Sequence, residues 1–76
     1  MEIEDFISNF ADQFEDTDAS EITATTVYKA LDEWSSLIAL SIIAMVDEEY
    51  DVTLKGDDIR NSETVGDLFD IVKSRV

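Results

Sequence analysis

The chain has no cysteine and no histidine. Without cysteine there are no disulfides to support a core that is marginal at this size. The two absences together exclude most structural zinc sites, thiol catalysis and imidazole acid–base chemistry. Basic residues are scarce: five Lys and Arg stand against 19 Asp and Glu, a formal net charge of −14. Such a surface repels nucleic-acid phosphate and anionic lipid, so neither is expected as a partner. It favours partners with basic patches and speeds their encounter at low salt. Long apolar runs are missing too. The longest uncharged stretch, Ser35 to Val46, falls far short of the ~20 residues that span a bilayer, so no membrane span is expected. Met1-Glu2-Ile3-Glu4-Asp5 lacks the basic head of a signal peptide, and the expected compartment is the cytoplasm. A chain of 76 residues reads as one domain over 1–76, expected to be a monomer.

What is present is organised around Glu33 to Tyr50. Ala39, Ile42, Ile43, Val46 and Tyr50 have the spacing of a core-facing helix side. They account for only half of the apolar residues, because Leu37, Ile38, Leu40, Ala44 and Met45 lie beside or opposite them. A chain this small does not bury a helix all round, so part of the surplus is expected to face a partner or a ligand. The helix opens with Ser35 and Ser36. Taken alone, a serine there is a cap for an orphan backbone N–H. Two adjacent serines permit Ser35 to cap while Ser36 projects from the first turn. A phosphate ester on Ser36 would lie against the helix N-terminus, where N–H groups and the dipole favour an anion.

Three further segments complete the reading. Glu2 to Phe14 predicts a first helix, with Ile3, Phe6, Ile7, Phe10 and Phe14 on one face. Asp16 to Trp34 is a long connection for so compact a chain, with Ile22, Val27, Tyr28, Leu31 and Trp34 as anchors and a short helical turn near Val27 to Leu31. After an irregular stretch with one helical turn at Asp57 to Arg60, a last helix runs to Arg75, capped by Thr64 with Asp67 three residues on. Val65, Leu68, Phe69, Val72 and Val76 are its core stripe. The expected fold is all-α, a small four-helix bundle of three long helices and one short. Calcium-loop spacing fails at both acidic clusters: Lys55 takes a ligand position, and no glycine follows Asp16-Thr17-Asp18-Ala19-Ser20. No metal site is expected.

Ser36-Leu37 at the start of an apolar helix that ends in Asp47-Glu48-Glu49 and Tyr50 resembles the attachment region of acyl and peptidyl carrier proteins. The long first loop and Thr64-Val65-Gly66-Asp67-Leu68, which is similar to the start of the family's final helix, extend the resemblance over the whole chain. It implies an acyl-carrier-like bundle and no enzyme. It also implies a 4′-phosphopantetheine arm on Ser36, attached by a separate phosphopantetheinyl transferase, with acyl intermediates carried as thioesters on the arm. Partners would then be acyl-transferring and synthase enzymes with basic docking patches, meeting a surface of Leu37, Ile38, Leu40, Ser41, Met45 and Glu48. Ser35 stands where the family usually has Asp, and Ile38 and Ser41 stand where many fatty-acid carriers have acids. With Trp34 before the serines, these departures point to a specialised lipid or polyketide-type pathway over primary fatty acid biosynthesis. An aminoacyl carrier, such as one for D-alanine, is the alternative within the family. An acidic helical interaction module, with Ser36 only part of a cap, is the alternative outside it.

Overall fold

The computed structural model describes residues 2–76. Four helices follow one another: α1 (Ile3–Ala11), α2 (Ser36–Tyr50), α3 (Gly56–Asn61) and α4 (Val65–Arg75). Two 3-10 turns, Ala19–Glu21 and Tyr28–Ala30, lie in the long first connection. Among the described residues there is no strand, only one isolated bridge between Val27 and Thr64. The chain is thus an all-α bundle of three longer helices and one short. α1 packs against α2 and α4, and α3 packs against α4.

The boundaries of α1, α2 and α4 have identifiable causes. α1 begins with Glu4 and Asp5 in its first turn, where acids suit the dipole. Its α-helical part stops at Ala11, earlier than expected. A tighter turn, Gln13 N–H to Phe10 O and Phe14 N–H to Ala11 O, carries Phe14 into the core. α2 ends at Tyr50, and Asp51 caps it with a φ of 55°, the left-handed conformation more often supplied by glycine at a helix end. α4 is capped as expected: Thr64 Oγ1 accepts the Asp67 N–H at 3.1 Å, and Asp67 Oδ2 accepts the Thr64 N–H at 3.2 Å.

The core gathers Phe6, Phe10 and Phe14 from the α1 segment, Ile42 and Val46 from α2, Ile59 from α3, and Leu68, Phe69 and Val72 from α4. The long connection is not a loose strap, because Ile22 and Tyr28 are buried in the same core. The Tyr28 hydroxyl lies 2.6 Å from Ile59 O and 3.0 Å from Ser62 O, donating its one proton into that pair of carbonyls. Burial pushes the phenol up to about 12. The connection is also tied to the start of α4: Val65 N–H donates to Thr26 O at 3.1 Å and Gly66 N–H to Ala24 O at 2.8 Å. Two expected core positions are corrected. Val27 is exposed, since its backbone is turned to pair with Thr64 and its side chain faces out. Val76 is exposed because α4 ends at Arg75.

Candidate functional site

The start of α2 is held by an acid whose role no sequence pattern signals. Both oxygens of the Glu33 carboxylate are engaged by the chain just beyond α1. Oε2 accepts from Glu15 N–H at 2.7 Å, and Oε1 accepts from Asp16 N–H and Thr17 N–H at 2.9 Å each and from the Thr17 hydroxyl at 2.8 Å. These donors, the Glu15 amide foremost, hold the Glu33 carboxyl below its usual range. Three residues later the helix begins. Ser35 is its N-cap, with the Oγ accepting the Ile38 N–H at 3.3 Å. The entry to α2 is therefore fixed both by its own cap and by a clamp to the end of α1.

Ser36 is the first residue of α2 and is exposed. Among the described residues no hydrogen bond engages its hydroxyl, in contrast to that of Ser35. The N–H groups of Ser36 and Leu37 belong to the first turn, where the helix offers no acceptor. Leu37 and Leu40 stand beside it with 76% and 62% of their surface exposed. These are large values for leucine on a helix that is otherwise apolar toward the core. Glu48 is exposed two turns beyond Ser41, while Ile38 and Ser41 are half-buried. Met45, expected on the same outward surface, is buried at 6% exposure and belongs to the core. The reason is geometric: Met45 follows Ile42 by three positions, so it shares the packed side of α2.

A groove of about 600 Å³ opens beside Ser36. Its apolar lining comes from Trp34, Ala39, Leu40, Ile43 and Ile59. Lys29, Lys55 and Arg60 also line it, with Asp57 the one carboxylate. Lys29 is held in place by donating to Arg60 O at 2.7 Å, and Arg60 pairs with Asp57. No periodicity could have announced this grouping, because it joins the second 3-10 turn, α2 and α3. Its one sequence signal was scarcity: with only five bases, the position of each carries information.

This geometry fits a 4′-phosphopantetheine arm on Ser36. The Ser36 hydroxyl is unengaged and exposed, the first-turn N–H groups suit an anion, and an apolar groove adjoins it. Among the described residues no helix is long and apolar enough to cross a membrane. Comparison with family models, with curated proteins and with solved structures returns no match.

Proposed function

We propose that the chain is a carrier protein, bearing acyl intermediates on a 4′-phosphopantetheine arm attached to Ser36. The observation that carries this reading is the difference between the two serines. Ser35 is consumed as the cap, and Ser36 is left exposed at the first position of α2 between two outward leucines and a groove. An interaction module would need the leucines but not the free hydroxyl.

In the attachment step Ser36 Oγ attacks phosphorus in the diphosphate of coenzyme A. A new O–P bond forms, the bond to adenosine 3′,5′-bisphosphate breaks, and the hydroxyl proton leaves to a base of the transferase. The first-turn N–H groups of α2 would suit the resulting phosphodiester anion. The arm supplies the thiol that the chain lacks, which carries the cargo as a thioester. Leu37, Leu40 and the exposed Glu48 present an apolar and acidic face to enzymes with basic docking patches.

The test is intact mass after incubation with coenzyme A and a broad-specificity phosphopantetheinyl transferase. One phosphopantetheine should add to the wild type and none to Ser36→Ala, while Ser35→Ala should still be modified. Addition to Ser36→Ala, or no addition to the wild type with any transferase, would sink the assignment. The second outcome would leave the interaction module as the reading of the two leucines.

A further inference from the structure

We propose that the groove beside Ser36 receives cargo whose far end is anionic, a chain bearing a carboxylate at the end remote from its thioester. This inference rests on the carrier reading. Three of the five bases in a chain of net charge −14 line this one groove. Asp57 is the one acid among them and is already paired with Arg60. Among the described residues neither Lys29 nor Lys55 forms a close ion pair, although Lys55 is near enough to Asp58 to help hold its carboxyl low. Lys29 uses one of its three donors on the Arg60 carbonyl and keeps two.

The three cations and Ser36 line the same groove from different elements. The cations belong to the second 3-10 turn and to α3 with its N-cap, whereas Ser36 opens α2. The first-turn N–H groups of α2 would be available to a phosphate on Ser36. The same groove has an apolar floor. Leu40 and Ile43 follow Ser36 by one and two turns, which places Ile43 about 10 Å along the helix axis. Ile59, buried on α3, forms part of the opposite wall. Cargo folded back on its arm into this groove would lie against the apolar floor within reach of Lys29, Lys55 and Arg60. A carboxylate there gains charge partners, a methyl end gains none, and an ammonium end meets like charge.

The test compares holo-protein without cargo with protein loaded with three thioesters of equal length: neutral alkanoyl, ω-carboxyalkanoyl and ω-aminoalkanoyl. Amide chemical shifts of Ile43, Ile59 and Arg60 are followed as salt rises from ~0.01 to ~0.1 M. The carboxylate cargo should move these amides most, with a response that shrinks with salt, and the amino cargo least. A Lys29→Gln, Arg60→Gln double variant with an unchanged circular dichroism spectrum should lower the docked population of the carboxylate cargo about fivefold. The same variant should leave the neutral cargo unaffected. Equal shifts for all three cargoes overturn the proposal. So do shifts already present in the unloaded holo-protein and lost in the variant, which would assign the cations to the phosphodiester. Failure to place any arm on Ser36 overturns the carrier reading and this proposal with it, whereas a loaded protein without discrimination overturns the proposal alone.

Discussion

Gly66 sits one residue into α4 with the Ala24 carbonyl directly over it. A Cβ at this position would lie 2.9 Å from that oxygen, which already accepts the Gly66 N–H at 2.8 Å. Alanine here must push two backbones apart, a cost of about 1–3 kcal/mol. The better helix propensity of alanine returns about 1 kcal/mol. Gly66→Ala should therefore lower stability by up to about 2 kcal/mol in urea unfolding. Gly56 is the control. It opens α3 with no atom within 4 Å of the place a Cβ would take and no positive φ, so Gly56→Ala should stabilise by about 0.4–1 kcal/mol. Equal signs for the two substitutions would mean that the Ala24 contact is not what keeps Gly66 small. Neither this contact nor the Glu33 clamp was legible in the sequence. Each joins a helix boundary to a loop segment far along the chain, and loops carry no period. The cap at Ser35 and the box at Thr64 and Asp67 were legible because their partners lie within three residues.

At the scale of the element, α2 shows where periodicity is informative and where it fails. The stripe through Ala39, Ile42, Ile43, Val46 and Tyr50 does face the core, with Ile42 and Val46 fully buried. Periodicity could not rank the remaining apolar residues, because a helix apolar on most sides has little contrast between faces. Leu37 and Leu40 proved to be outward and Met45 inward, a choice made by where α1 and α3 happen to lie. The expected energies follow the burial. Ile42→Ala should cost ~2–5 kcal/mol, while Leu40→Ala should stay within about 0.5 kcal/mol. Denaturation of both variants checks this; comparable losses would mean that α2 presents a different face to the core. Helix number, order and type were legible from three stripes and one helical turn. The boundaries of α1 and the length of α3 were not, since they depend on tertiary contacts of Phe14 and Ile59 with the rest of the core.

For the whole molecule, the net charge of −14 on a body of 29 × 23 × 20 Å sets the response to salt and pH. Screening reaches ~10 Å at 0.1 M salt and relieves the compact state more than the unfolded one, so the melting temperature should rise with sodium chloride at pH 7. A flat or falling melting temperature would show that the acids are already well spread. Acid acts in two opposed stages. From pH 7 downward, protonation first reduces the repulsion and stabilises. Against this stand Asp18, Glu33, Asp58 and Asp67, all held below their usual range by hydrogen-bond donors. For Asp58 the bidentate Arg75 guanidinium, at 2.8 Å to each oxygen, is the main cause and brings it to about 2. A depressed carboxyl binds its proton more readily in the unfolded chain, so its contribution is present above the unfolded value and is lost as pH falls through the folded one. Stability should therefore peak at about pH 4–5 and fall toward pH 2. In Asp58→Asn the acid limb should be shallower; an unchanged limb would remove Asp58 from the account.

The seven aromatic residues form one unbroken series of neighbouring rings. Phe69 and Tyr50 meet Phe6, Phe6 meets Phe10, Phe10 meets Phe14 and Tyr28, and both of these meet Trp34, with Tyr28 and Trp34 centroids only 4.8 Å apart. The lone indole is thus the terminus of the series and also part of the groove wall beside Ser36. Ultraviolet excitation absorbed by the tyrosines drains toward that indole, which is the lowest-energy emitter present. The colour of its emission depends on how much water touches it, and so on whatever lies in the groove. An unlabelled sample therefore signals by its own fluorescence when the space next to Ser36 is filled.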